Sequence, residues 1–344
     1  MLPFIVSCAG PYTPFGSKFS PTNLYNDFKV RVNPSDLSVS KNVIGPEINF
    51  TPKVQTLHES RDFTIKIKDT ARVNKDSKVT FYYNNEDITF LIESISTRSI
   101  TKDKITYQVK SLTLPPGEDH KFVVLYQREN DSQVIPKEYP FPKCDIYEEV
   151  NLAYNNLKTS KKIKNAINRI ALKNDVNKAL IAGLIAQESS FNPKAVSWAK
   201  AVGLTQVTPL AEKQILEAIT SWSIYPNWNR MPASILKGHV RSGKMNKEND
   251  WKLNPQTSIE GGIKYLKYLE HFWKRPQNKE AIPLTMRDKE AYTSILLASY
   301  NSGPSRVKKR LLTHGDEWLK SRDLREAKKY IGKVKSYCNN FTVE

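Results

Sequence analysis

LIAQESSFNPKAVSWAKAVGLTQVTP, residues Leu184 to Pro209, sets a carboxylate, Glu188, directly after a stretch that carries no charge. From Ala179 to Ala186 every residue is Ala, Leu, Ile or Gly. A run of that kind at helical length reads as a buried α-helix. Leu180, Leu184 and Glu188 fall at i, i+4 and i+8, so they share a face, with Glu188 at the C-terminal end. Partial burial and the negative end of the helix dipole both disfavour an ionised carboxylate there, and both raise its pKa. A carboxyl that stays protonated near neutral pH is a general acid. The ordinary alternative is a solvated Glu at a frayed helix end. The apolar run before it and the Ser-Ser-Phe-Asn-Pro after it argue against that alternative.

Outward from this stretch the chain changes character. Between Ile48 and Tyr126 it is made of short β-branched and aromatic runs: DFTIKIKD, KVTFYY, DITFLIESI, KITYQVKSLTL and KFVVLYQRE. Asn-Asn, Lys-Asp and Pro-Pro-Gly separate them, as turns separate strands. Residues 46–135 are therefore expected to form an all-β immunoglobulin-like sandwich. No catalytic constellation is visible in it, and it reads as a spacer or as a module for an unidentified protein partner. Pro136, Pro140 and Pro142 mark a linker over 136–144. Beyond it, 145–344 reads as all-α. One or two amphipathic helices are expected over 145–173, and Asn174 or Asp175 is expected to cap the apolar helix. Asn254-Pro255 should start another helix. EAYTSILLASYNSGPSRVKK should be a buried helix broken at Ser302-Gly303-Pro304, and REAKKYIGKVKSYC should close the domain.

The 344 residues leave room for two or three domains, and the formal net charge of +18 favours polyanionic partners. Nucleic acid, an acidic membrane face and an acidic wall polymer all qualify. No zinc spacing, RNP-type aromatic pair or recognition helix is present, so nucleic acid is set aside. No stretch of 18 apolar residues occurs. MLPFIVSCAG resembles a bacterial lipobox ending at Cys8, although it lacks a charged leader segment and its apolar run is short. With 1–45 read as signal and tether, the chain is expected to be exported, periplasmic, and anchored by lipid through Cys8 as an outer-membrane lipoprotein. Cys144 and Cys338 then either pair in an oxidising compartment or remain two thiols, and the sequence leaves both open. No metal or cofactor is expected.

The residues after Glu188 also carry a resemblance. QESSFNPKAVSWAKAVGLTQVTP resembles the signature of the lytic transglycosylases of the lysozyme-like superfamily: E-S-x-F-x-P-x-A-x-S, then G-L-x-Q-x-x-P. NPQTSIEGGIKYL, LLASYNSGPSRV and EAKKYIGKV resemble three further elements of that family, in the same order. Together they span Tyr147 to Tyr337. The resemblance implies a lysozyme-like fold acting on peptidoglycan, at the bond from N-acetylmuramic acid to N-acetylglucosamine. It implies Glu188 as the sole catalytic acid. Ser197, Gln206, Tyr300, Asn301 and Tyr330 match positions that line the glycan cleft. With the sugar's own N-acetyl group assisting, a single carboxyl suffices, and the product is a 1,6-anhydro sugar.

Two positions depart from the family pattern. Lys200 stands where Gly is common, and a Lys resists positive φ, so the loop is expected to differ there. Thr205 replaces a common Met and is expected to leave a smaller, more polar subsite lining. Gly203, Gly261 and Gly262 read as points of close backbone approach or, for the pair above all, of packing. The segment between Pro209 and Asn254 is longer than usual. Its Trp222, Tyr225, Trp228 and Trp251 either pack an inserted subdomain, the favoured reading, or extend the sugar groove. The basic run Arg306 to Arg310, with Lys328 to Lys335, reads as a solvated helix face, with peptide-stem carboxylates as the alternative contact. Two other functions stay open: a goose-lysozyme-like muramidase that uses water, and a peptidoglycan-binding protein without catalysis.

Overall fold

The structure is a computed structural model and describes residues 46–55, 63–70, 77–110, 112, 114, 120–129, 134–217, 219 and 221–343. The lipid anchor at Cys8 and the tether over 1–45 lie outside the described residues. The chain divides into two compact units between Pro142 and Lys143.

The first unit is built on two four-stranded antiparallel sheets. The strands are β1 (Glu47–Thr51), β2 (Phe63–Lys68), β3 (Lys78–Tyr83), β4 (Glu86–Asp87), β5 (Ser96–Thr101), β6 (Lys104–Val109), β7 (Phe122–Gln127) and β8 (Val134–Glu138). One sheet runs β1-β2-β6-β5 and the other β4-β3-β7-β8. In FTIKIK the apolar residues Phe63, Ile65 and Ile67 turn inward, opposite Val109, Tyr107 and Ile105 of β6. These residues share one core with Phe81, Phe122 and Val124 of the other sheet. Asn84 and Asn85, with φ of 50° and 66°, make the tight β3–β4 turn.

The structure differs from the sequence reading at two places here. DITFLIESI, read as a strand, holds a helix, α1 (Thr89–Ile95). Ile88, Ile92 and Ile95 meet the core at helical spacing, while Phe90 is 86% exposed; a two-residue period would have buried Phe90. The linker expected from residue 136 starts later, because Pro136 lies inside β8. β8 is an edge strand, where a missing N–H costs no ladder bond.

The second unit is helical: α2 (Lys161–Lys173), α3 (Lys178–Ser189), α4 (Pro209–Leu216), α5 (Ala233–Ser242), α6 (Pro255–Lys274), α7 (Pro276–Lys279), α8 (Lys289–Ser302), α9 (Pro304–His314) and α10 (Arg325–Phe341). Only α2 forms within 145–173. The N-cap of α3 is Asn177, whose side chain accepts from Ala179 N at 2.8 Å and Leu180 N at 3.1 Å. Asn174 instead ends α2, and Asp175, at φ 52°, turns the chain between the two helices. Asn254 caps α6 with Pro255 in its first turn, and Gly303-Pro304 separates α8 from α9. Every residue of α3 from Ala179 to Ala186 is buried, so this helix is a central pillar of the unit. Among the described residues no helix is long and apolar enough to cross a membrane.

Candidate active site

The site is set by how α3 meets α10. At Gly183 a Cβ would stand 2.8 Å from the Val334 carbonyl oxygen and 3.0 Å from the Cys338 nitrogen, so the two backbones touch where no side chain fits. The helices run antiparallel, which brings Tyr330 of α10 level with Glu188 near the end of α3. A disulfide between Cys144 and Cys338 fastens the same helix to the start of the unit. Asn177 completes the junction by donating to the Asp145 carbonyl at 2.9 Å. The cysteine pair that the sequence left open is thus a bridge, eight residues along α10 from Tyr330.

Glu188 is half-buried, and the Tyr330 hydroxyl donates to its Oε1 at 2.7 Å. Loss of water around the carboxyl pushes its pKa up to about 7, and the Tyr330 hydrogen bond pulls the other way and is outweighed. Tyr300 stands close enough for the Glu188 charge to raise its phenol, and both tyrosines, desolvated, are held well above the ordinary tyrosine range. They are therefore hydrogen-bond donors throughout the physiological pH range. Tyr300 spends its hydroxyl on the Thr205 carbonyl at 2.7 Å, and its ring meets the Tyr265 ring edge-on. A carboxyl balanced near pH 7 can give up a proton and take one back, as a single group acting as both acid and base must.

After α3 the chain reverses through Ser190 and Phe191, both left-handed, and Asn192 folds over Lys194 N. The loop from Val196 to Val207 then closes on itself. Ser197 accepts from Ala201 N at 2.8 Å, and Gln206 donates to the Ala195 and Gly203 carbonyls at 3.1 and 2.8 Å. Both side chains are buried, so these expected cleft residues hold the loop's shape with the atoms described. Asn301 is half-buried at the end of α8 and accepts from Ser302 Oγ at 3.0 Å. The structure thus gathers Glu188, Tyr300 and Tyr330, joins the loop to them through Thr205, and commits Ser197 and Gln206 to the loop itself.

Both expectations about the departures are corrected. Lys200 does adopt positive φ, 62°, and its ammonium donates to the Asn229 carbonyl at 2.8 Å, a tertiary contact that offsets the backbone cost. Thr205 lines no opening. It is 1% exposed, donates to the Ser258 carbonyl at 2.8 Å, and fills the space that a Cβ on Gly262 would need.

The segment after α4 is organised by a buried charge. Lys252 is fully buried, paired with Glu212 and, at 3.0 Å, with Asp250, with the Trp228 ring 4.0 Å from its ammonium. The Trp228 and Trp251 indoles both donate to Glu212, at 2.8 and 3.1 Å. The aromatics of this segment therefore pack: Trp228 and Trp251 are buried, Trp222 lies against Trp251, and Tyr225 bonds His239. Gly203, at φ 86°, lies directly on the Lys252 carbonyl, so the segment braces the loop. The sequence reasoning missed Gly183 and Lys252. A glycine inside an otherwise unbroken apolar helix was the available signal for the first; nothing local signalled the second. A recess of about 410 Å³ between Phe272, Asn278, Lys308 and Leu312 shares no residue with this site. Among the described residues no group of His, Cys, Asp or Glu could hold a metal ion.

Residues 165–319 match the family model of the transglycosylase SLT domain, which ends before Tyr330. The membrane-bound lytic murein transglycosylase C of Mannheimia succiniciproducens is 31% identical over 133 residues, covering 38% of this chain and 29% of that protein. The protein of the same name from Actinobacillus succinogenes is 29% identical over 133 residues, covering 38% of this chain and 28% of its own length. This chain therefore spans under a third of the relatives it matches. Among solved structures, the 70 kDa soluble lytic transglycosylase of Escherichia coli aligns with 55% of this chain and 24% of its own, at 20% identity and a TM-score of 0.34.

Proposed function

We propose, starting from the lytic transglycosylase domain that occupies the C-terminal half of the chain, that this protein is a peptidoglycan lytic transglycosylase. It cleaves the β-1,4 bond from N-acetylmuramic acid to N-acetylglucosamine. The observation that carries the reading is Glu188, a carboxyl balanced near pH 7 at the end of a buried helix, with the Tyr330 hydroxyl on it. In the reaction the Glu188 proton passes to the glycosidic oxygen as the C1–O bond breaks. The 2-acetamido oxygen of the muramic acid closes onto C1 and carries the positive charge. Glu188, now ionised, removes the C6 hydroxyl proton, and O6 displaces the acetamido oxygen from C1. The product is a 1,6-anhydro sugar, no water is consumed, and Glu188 ends protonated. Tyr330 holds the carboxyl in place and stabilises its ionised middle state. Ser197 and Gln206 shape the loop beside the groove, and Asn301 presents an amide to the glycan.

The remaining readings follow from that activity. The strand order β1-β2-β6-β5 against β4-β3-β7-β8 reproduces the A-B-E-D and C-F-G sheets with one added edge strand, which supports an immunoglobulin-like module, here assigned to an unidentified protein partner. The Cys144–Cys338 bridge supports an oxidising compartment, in line with export to the periplasm and lipidation at Cys8.

The test is Glu188→Gln on purified sacculi, with mass spectrometry of the released fragments. Anhydro ends that vanish with Glu188→Gln support the proposal. Reducing ends, heavier by one water, would make the protein a muramidase. Undiminished cleavage by Glu188→Gln would remove Glu188 from the chemistry altogether.

A further inference from the structure

The exposed indole of the helical unit sits on the loop that the Trp-rich segment braces. Of the six tryptophans, Trp228, Trp251, Trp273 and Trp318 are buried, Trp222 is half-buried, and Trp198 is 71% exposed. A single exposed apolar side chain is ordinary on a protein surface. Three observations set this one apart. First, its turn is fixed on both sides: Ser197 Oγ accepts from Ala201 N at 2.8 Å, and the Lys200 ammonium is bonded to the Asn229 carbonyl. Second, the Lys237 ammonium of α5 lies 4.3 Å from the ring centroid, so one indole face holds a cation while the ring as a whole stays open to water. Third, the loop runs on to Thr205, whose carbonyl receives Tyr300, the neighbour of Glu188.

From these we infer that Trp198 and Lys237 form a glycan subsite for a carboxylate-bearing sugar. It rests on the proposed action on peptidoglycan and adds a place that grips the strand beyond the bond being cut. A pyranose ring has an apolar face of C–H groups, which stacks on an aromatic side chain at reduced entropic cost where the turn that carries the indole is already fixed. Lys237, held at the other face, reaches the carboxylate carried by the sugar or its peptide. The subsite is assembled from two parts of the chain, the loop after α3 and the segment between α4 and α6. That segment has four aromatics of its own, yet they are spent on packing.

The experiment uses the full chain carrying Glu188→Gln, so that bound glycan is not consumed, and strands of graded length prepared from sacculi with and without peptide stems. Trp198 is the most exposed indole and dominates quenching by acrylamide. Long strands should protect it. Trp198→Ala should weaken their binding about fivefold, with Trp198→Phe keeping most of the affinity. Lys237→Gln should weaken strands with and without stems about threefold, because removing the stem frees the lactyl carboxylate of the sugar, and should leave strands whose carboxylates have been amidated as they were. Acrylamide quenching unchanged at saturating glycan, or wild-type affinity in Trp198→Ala, overturns the inference and leaves this indole to a protein partner. Because binding is read without turnover, cleavage that survives Glu188→Gln would sink the proposed mechanism alone, and unaltered binding by Trp198→Ala would sink this subsite alone.

Discussion

Replacing Glu188 by Gln should make the protein more stable above neutral pH, by an amount that follows from the site. In the native state the carboxyl is pushed from an ordinary 4.5 to about 7 because its ionised form is poorly hydrated. In the unfolded chain it returns to the ordinary value. Between the two, the native state binds more protons than the unfolded state, so stability falls as pH rises through this window. Each pKa unit is about 1.4 kcal/mol, so the whole window costs about 3 kcal/mol, fully felt above pH 7 or so. Gln does not titrate and escapes that cost. Tyr300 and Tyr330, whose phenols feel the Glu188 charge, stay protonated between pH 4 and pH 8, so in that range the difference between the two stability curves isolates this one carboxyl. It should be near zero at about pH 4, grow through the window and level off by about pH 8. For a unit of this size the variant's melting temperature at the alkaline end should exceed wild type by about 6–12 °C. Calorimetry or urea titration at a series of pH values reads it directly. A difference curve flat to within about 1 kcal/mol from pH 4 to pH 8 would mean that the carboxyl is not desolvated. The reasoning that makes it an acid would then fail with it.

The other expectations concern the parts that position this group. Tyr330→Phe removes the bond that favours the ionised carboxylate, so the alkaline limb of kcat/KM should move upward from about 7 and the rate fall; a limb that stays put would separate Tyr330 from the acid. Gly183→Ala places a methyl 2.8 Å from the Val334 carbonyl oxygen and should destabilise by about 1–3 kcal/mol despite the better helix propensity of Ala, read as a lowered melting temperature. Lys252→Met leaves Glu212 and Asp250 buried without their cation and should cost about 3–5 kcal/mol in denaturant titration. Reducing Cys144–Cys338 frees a loop spanning 194 positions, and chain entropy alone puts the loss at about 5 kcal/mol, measurable by melting with and without reductant.

The sequence carried the local parts of this structure and lost the distant ones. α3, the carboxyl at its end and the cap-and-proline start of α6 are readable because neighbours within one or two turns decide them. The N-cap lies two or three residues beyond the expected Asn174 or Asp175, at Asn177, because that side chain is also needed at the junction with Asp145. DITFLIESI reads as a strand because its apolar residues Ile88, Phe90, Leu91, Ile92 and Ile95 fit either period until one knows that Ile88, Ile92 and Ile95 face a core and Phe90 does not. Lys200 was misjudged for the converse reason: a backbone conformation that a lysine resists alone is held by a carbonyl 29 positions away. Tyr330 could be matched by resemblance, yet what places it on Glu188 is the contact of Gly183 with α10, which no local pattern reports.

These distant contacts decide the chemistry as well as the fold. In the proposed reaction one carboxyl must serve as acid and as base, which needs a pKa near ambient pH, and two opposed effects set the Glu188 value: loss of hydration raises it and one phenol lowers it. The first is built into α3, whose burial leaves its final turn little water. The second depends on how close α10 lies, and that is fixed by the bare backbone at Gly183 and the Cys338 bridge farther along the same helix. A looser α10 would withdraw the phenol and raise the carboxyl further, which in the proposed reaction makes it a weaker acid toward the glycosidic oxygen and leaves its ionised middle state without the phenol's support. Packing between α3 and α10 is therefore the setting that, in the proposed reaction, would let a single carboxyl complete both halves.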